Sequence, residues 1–272
     1  MRKAQFFYLL RRGLLSGGLN LIKEGLVMAS KFTTQGLSFP AQGSAEFNGT
    51  SDFITMGDVL NQGTDNATYS FWVYAQDDTG GECVLAKSIG GSLVANYGFL
   101  AGVFINGNVQ YYTADNDPSQ YGGQASHAGL NQWQYISFVV DKSQTEVGIY
   151  INGSKQTTSR ILGGALSAVG NVTNTQPLII GAESDLSNKF EGNLANVAIW
   201  NRALSSDEIN SVMWKSYEGL TGAESNGLKA WYSLDDITSP AASLANMEQL
   251  ATDKDATIEN KAAITAAINA LS

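Results

Sequence analysis

Apolar and polar residues alternate with a period of two through most of the middle of the chain. ATYSFWVYAQ (67–76), YGFLAGVFI (97–105), VQYYTAD (109–115), WQYISFVVD (133–141) and EVGIYI (146–151) each read as a strand. LIIGAE (178–183), NLANVAIW (193–200) and LKAWYSLDD (228–236) extend the series. SAEFNGTSDFITMG (44–57) alternates around Asn48-Gly49, and further Asn-Gly turns fall at 106–107 and 152–153. Asn-Gly between alternating runs marks a hairpin, because both residues accept the positive φ that a tight turn demands. No strand–helix alternation appears, which disfavours a parallel sheet. Short strands at this spacing predict a mainly β protein, an antiparallel β-sandwich of the jelly-roll kind. LSSDEINSVMWKSY (204–217) departs from the pattern and predicts a short helix. Ser205 or Ser206 caps it, and Asp207 and Glu208 suit its positive N-terminal end.

Both flanks have a different rhythm. LNLIKEGLVMA (19–29) places Leu19, Ile22 and Leu26 at near-helical spacing, so residues 1–30 read as a helical N-terminal arm broken at Gly17-Gly18. Residues 239–272 are Ala-rich and strongly helix-forming, with Leu244, Met247, Ala251, Ile258, Ile264, Ile268 and Leu271 in an imperfect apolar stripe. Lys254 and Lys261 interrupt it, which leaves a weak coiled coil, a helix docked on a partner, or one packed back on its own sandwich. The chain thus divides into an arm (1–30), a β-sandwich (31–238) and a C-terminal helix (239–272).

Composition narrows the chemistry. The 272 residues include 29 glycines and 4 prolines, and only 15% are charged, which suits many tight turns rather than a helical bundle. The formal net charge is −9 and no basic patch follows the first 23 residues, which argues against nucleic-acid binding. Cys83 is the one cysteine, so no internal disulfide forms; His127 is the one histidine, so no multi-histidine metal site exists. The flank ASHAGL around His127 has no nucleophile signature. No stretch approaches the roughly 20 apolar residues of a membrane span. The basic, apolar start MRKAQFFYLLRR is interrupted too early for a secretion leader and reads as an ordered arm.

Two oxygen-rich stretches are candidate sites. Glu183-Ser184-Asp185 follows the apolar run PLII (177–180), with two carboxylates one residue apart. They are metal ligands, a catalytic pair or a solvated loop. ADNDPSQYGG (114–123) sets Asp115, Asn116 and Asp117 before Pro118, either as an ordinary turn or as a glycan or ion site with Tyr121 as a stacking platform. Tyr97, Tyr111, Tyr112 and Tyr217 are further stacking candidates; Trp72, Trp133, Trp200 and Trp231 lie inside apolar patterns and are expected in the core.

SAEFNGTSDFITMG, LNQWQYISFVVDKSQTEVGIYINGSKQTTS (130–159), LIIGAESDLSNKFEGNLANVAIWNRALSSDEI (178–209) and GLKAWYSLDD (227–236) follow one another in a recognisable order. Together they resemble the laminin-G-like and pentraxin-like branch of the concanavalin A-like jelly rolls, over roughly 190 residues. In pentraxins a G-x-E-x-D motif supplies calcium ligands through both carboxylates and the intervening carbonyl. Gly181-Ala182-Glu183-Ser184-Asp185 matches it by position, so the resemblance implies calcium at Glu183, Ser184 and Asp185, with Asn96 as a further ligand. The following loop is shorter than in pentraxins, and LANV (194–197) puts Ala195 where related sandwiches carry an acid.

Retaining glycosidases on this fold set acids on one strand face as E-x-D-x-E or E-x-D-x-x-E, with about 5 Å between the catalytic pair. That triplet is absent, so the chain is expected to be non-enzymatic. A lectin-like sandwich with helical arms at both ends, no disulfide and no evident leader points to a structural protein of a tailed-phage virion, made in the host cytoplasm. It would be a decoration, head-fibre or tail-associated subunit that adheres to surface glycans. Its expected partners are other virion proteins, through the arm and the C-terminal helix, in a homo-oligomer or larger assembly. The alternatives are a secreted or cell-surface bacterial carbohydrate-binding module, and a purely architectural subunit.

Overall fold

A computed structural model describes residues 44–89, 97–115 and 119–234. The N-terminal arm, the C-terminal helix, Asn96, Asn116 and Asp117 lie outside these described residues. The described chain folds into two antiparallel sheets. The first runs β1 (Ala45–Asn48), β13 (Glu191–Trp200), β3 (Ala67–Ala75), β8 (Trp133–Val140), β9 (Gly148–Ile151), β10 (Ser154–Lys155), with β14 (Leu228–Tyr232) also on β13. The second runs β11 (Ser159–Gly163), β7 (Gln120–Ser126), β6 (Asn108–Ala114), β5 (Gly98–Ile105), β4 (Glu82–Ser88), β12 (Ile179–Ile180), β2 (Ile54–Thr55). The β-sandwich expected from the alternating pattern is therefore the observed architecture.

Three strands of the second sheet escape the sequence pattern. β4 is buried along its whole length, so ECVLAKS shows no alternation. β7 contains Gly122-Gly123 and begins inside the stretch that reads as a turn. β11 is a mostly exposed edge strand with little apolar signal.

Side chains from both inner faces form the main core, including Phe71, Phe99, Phe104, Tyr111 and Phe138. Each such burial contributes about 1.5–3 kcal/mol. A second cluster lies on the outer face of the first sheet, where Trp72, Trp133 and Trp200 pack with Ile209 and Val212 of α1 (Ser206–Val212). These tryptophans are buried as expected, but beneath a helix rather than between the sheets. The Trp72 Nε1–H donates to the Met213 carbonyl at 3.0 Å. Ser205 caps α1 in a reciprocal box with Glu208. Arg202 donates to both Glu208 oxygens, at 3.0 and 2.7 Å, fixing the helix start to the sheet.

β1 and β14 lie end to end along one edge of β13 and run in the same direction. Ala45 faces Leu194, and Tyr232 faces Val197. Between these pairs β13 has an irregular register and Asn196 adopts a φ of 48°. The Asn196 N–H donates to the Ser233 carbonyl at 3.1 Å.

Candidate functional site

The outer face of the second sheet carries a third cluster, Cys83, Ala86, Leu100 and Val103, with Tyr112 packed against it. No helix of the described residues contributes to it, in contrast to the first sheet. Strand register explains its composition: Tyr112 pairs with Leu100 on one side and Gly122 on the other. A Cβ on Gly122 would lie 2.9 Å from the Tyr112 ring and from Leu162 Cβ. Gly122 therefore leaves the space in which that ring rests. Beside it runs a polar relay. The Tyr112 hydroxyl donates to Gln110 Oε1, and Gln110 Nε2 donates to Gln124 Oε1 at 2.9 Å. Tyr112 and Gln124 are half-buried, so each keeps an accessible part. The depression next to Tyr112 holds about 10 Å³, room for a single water, which makes this face a platform and not a pocket.

Glu183 stands at the margin of this platform. The chain leaves β12 through Gly181, whose φ of 85° and close approach to the Phe47 ring exclude a side chain. It then turns tightly, with the Leu186 N–H donating to the Glu183 carbonyl at 2.9 Å and the Glu183 N–H to the Ser187 carbonyl at 3.1 Å. Glu183 is only 2% exposed. Its Oε1 accepts from Asn188 Nδ2 at 2.7 Å. Its Oε2 is buried and makes no hydrogen bond among the described residues. Burial pushes the Glu183 pKa up, the Asn188 bond opposes this, and the nearby Asp185 charge adds to it. Burial, and then the Glu183 charge, raise the Tyr112 pKa to about 12, which places the two groups within electrostatic reach. The same two causes hold the Cys83 thiol well above its ordinary range, so Cys83 is inert packing.

Asp185 is exposed and its Oδ1 accepts from the Ser187 N–H at 3.0 Å and from the Ser187 hydroxyl at 2.5 Å. Burial raises its pKa, but the Ser187 bonds outweigh that and hold it below the usual carboxylate range. Ser184 Oγ accepts from the Ser88 N–H at 2.9 Å, which ties the turn to the end of β4. No group of three His, Cys, Asp or Glu side chains gathers anywhere among the described residues. Two carboxylates offer fewer oxygens than the six to eight that calcium takes. Glu183 Oε2 is the atom that fits a cation, because a buried carboxylate oxygen without a donor is otherwise costly.

The second oxygen-rich stretch has a different character. Asp115 Oδ1 accepts from the Ser119 N–H at 3.0 Å and Oδ2 from the Gly170 N–H at 2.6 Å, so this carboxylate clamps two loops. Tyr121 does not offer the stacking face expected of it. Its side chain is fully buried; the hydroxyl donates to Glu146 Oε2 at 2.8 Å and accepts from the Val147 N–H at 3.0 Å. The polar neighbours of Tyr121 suggested the surface, yet register points it inward opposite Thr113. Tyr111 is buried likewise, whereas Tyr97 and Tyr217 are half-buried away from the relay. His127 is held at both nitrogens: Nε2 pairs with Asp78 Oδ2 at 3.1 Å and Nδ1 accepts from the Gly129 N–H at 2.9 Å. The Gln110–Gln124 relay went unnoticed in the sequence, where nothing but strand register would have brought the two glutamines together.

A family model of the Concanavalin A-like lectin/glucanases superfamily matches residues 48–210, more than half of the chain. No curated protein sequence matches it. Among solved structures, the chain is similar to the botulinum neurotoxin serotype G binding domain, with 14% identity, a TM-score of 0.45 and coverage of 64% of this chain and 46% of that one. It is similar to the native heptameric SAP-like pentraxin of Limulus polyphemus at 16% identity and a TM-score of 0.41, covering 62% of this chain and 81% of that one. It is also similar to the CBM40 of the Ruminococcus gnavus IT-sialidase at 14% identity and a TM-score of 0.44, covering 64% and 97% respectively. The chain spans less than half the length of the neurotoxin binding domain.

Proposed function

From the premise that this chain belongs to the Concanavalin A-like lectin/glucanases superfamily, we propose that it is a non-enzymatic glycan-binding module. Its ligand lies flat on the outer face of the second sheet. One observation carries this reading: a half-buried tyrosine ring, Tyr112, is held in place by a hydrogen-bonded relay to Gln110 and Gln124 on a face that no described helix covers. An aromatic ring fixed in this way offers a sugar an apolar surface, and the free half of the Gln124 amide offers a donor to its hydroxyls. Glycan-array binding by the full chain tests it. Tyr112→Ala and Gln124→Ala are expected to weaken binding about tenfold or more, while the melting temperature stays close to that of the wild type. A wild-type chain that binds no glycan on the array, or variants that bind as it does, would sink the proposal and favour a purely architectural sandwich.

A calcium ion at Glu183 and Asp185, with the Ser184 carbonyl and Asn96, is a second part of the proposal. The buried Glu183 Oε2 supports it. Millimolar calcium is expected to raise the melting temperature of the wild type and not that of Asp185→Ala, since a ligand of the folded state alone stabilises it. Equal melts with and without calcium would remove the ion from the reading.

The setting we propose is display on a tailed-phage virion, with residues 1–43 and 235–272 joining the sandwich to other subunits. The meeting of both described ends at the centre of β13 favours attachment at one place. Mass spectrometry of purified particles tests this; detection only in the culture medium would favour the secreted bacterial module instead.

A further inference from the structure

A cleft of about 680 Å³ opens at one end of the sandwich, between the loop 57–66 and the ends of β13 and β14. Ordinary small-molecule sites occupy about 300–1,000 Å³. Its walls carry Asp58, Asn61, Gln62, Asp65, Asn66 and Asn201, a set of amides and carboxylates. The loop is anchored from behind. Gln62 Oε1 accepts from the buried Tyr69 hydroxyl at 2.7 Å, and Gln62 Nε2 donates to the Asp65 carbonyl at 3.1 Å. Asn61 Oδ1 accepts from the Asn174 N–H at 3.2 Å and Asn66 Oδ1 from the Lys142 N–H at 2.8 Å. The Asn66 side-chain amide also donates to the Asp141 carboxylate. The Asp65 carboxylate and the Asn201 amide make no hydrogen bond among the described residues. Leu60 is held at a φ of 57°, a strained conformation for a side-chain-bearing residue, at the middle of this loop. Asn61 Nδ2 donates to Asp58 Oδ1 at 3.4 Å, so Gln62, Asn61 and Asn66 are each held at both ends of the amide, and Asp65 and Asn201 are left to meet a ligand.

Charge selects the class of ligand. Lys87, buried behind the wall, donates to Asp58 Oδ1 at 2.7 Å and offsets its charge. Asp65 and Lys229 line the cleft with opposite signs, which leaves it close to neutral. A phosphate would want clustered cations or N–H groups, which this wall lacks among the described residues. A nucleobase would want an exposed aromatic face, and the two aromatic side chains that line the cleft, Tyr69 and Trp200, are buried. The Asn201 amide, which both donates and accepts, beside the Asp65 carboxylate, which accepts, suits vicinal hydroxyls.

We propose that this end cleft is a separate binding site for a short, uncharged oligosaccharide. It stands independently of the platform at Tyr112. The test is an amide NMR titration of the full chain with maltotriose, cellotriose and chitotriose, each to about 10 mM, tenfold above a ~1 mM dissociation constant. At least one of the three is expected to move the side-chain amide signals of Asn61, Gln62, Asn66 and Asn201. Asn201→Ala and Asp65→Asn are each expected to weaken that response about tenfold. No shift with any of the three sugars overturns the proposal. So does a shift that persists unchanged when Asn201→Ala and Asp65→Asn are combined in one chain. Shifts confined to Gln110 and Gln124 overturn it too, while supporting the platform.

Discussion

Gly98 occupies a position that no side chain fits. Its φ is 128°, and a Cβ there would lie 2.0 Å from the Lys87 carbonyl oxygen and 2.6 Å from Asn174 Nδ2. Asn174 Nδ2 donates to the carbonyls of Lys87 and Tyr97, so the glycine closes a small network joining β4, β5 and the loop before β12. Gly98→Ala is expected to cost about 2–4 kcal/mol, since neighbouring backbone must move. Urea denaturation measures this, and a loss below about 1 kcal/mol would mean that β5 shifts freely. Chemistry at this scale was partly legible. Two carboxylates one residue apart announced Glu183 and Asp185, yet only the fold shows that one is buried and the other exposed. Tyr112 and Tyr121 lie nine positions apart in similar polar surroundings. Which of them faces outward is set by register, and local composition does not encode register.

α1 illustrates what an element shows in advance and what it hides. Ser205 and Glu208 are three apart before an apolar residue, a capping signature readable from the chain. The tether from Arg202 is local too. Less visible is the second acidic anchor. Glu224 receives both Lys215 contacts, at 2.5 and 2.7 Å, and accepts from the Thr221 N–H at 2.6 Å, capping α2 (Gly222–Ser225). Arg202 hydrogen bonds hold the Glu208 pKa at about 2. For Glu224, burial pushes upward, but Lys215 and the Thr221 cap prevail and the value is also about 2. Both folded values lie below the ordinary carboxylate value, so their stabilisation is complete above about pH 4.5 and is lost as the pH falls toward 2. Glu208 is partly solvated and Glu224 is buried; together they contribute about 1–3 kcal/mol. Melting temperature against pH is expected to fall across that window, and Arg202→Met to make the fall shallower. An unchanged profile in the variant would mean that solvent screening cancels the pair. The strands that the pattern missed, β4, β7 and β11, share a physical cause: period-two alternation exists only where one face is wet and the other dry.

The layout of the whole molecule was legible as a sandwich but not as a circuit. β14 ends, and β1 begins, against the same short stretch of β13, so the two read as one strand interrupted between Leu234 and Ser44. Fusing Leu234 to Ser44 through a short glycine-serine linker, and opening the chain between the exposed Gly163 and Gly164, is expected to give a cooperatively folding protein. A permutant without a cooperative melt would show that residues outside 44–234 are needed for folding. The shared edge also decides how the sandwich meets mechanical load. Were its ends at opposite poles, tension between two neighbours would pass through the sheets and shear them. If the proposed attachments act through these two ends, they meet at the middle of one strand, and a pull on the far end of the sandwich swings the body about that point, with the load carried by the pairing of β1 and β14 to β13 rather than across both sheets.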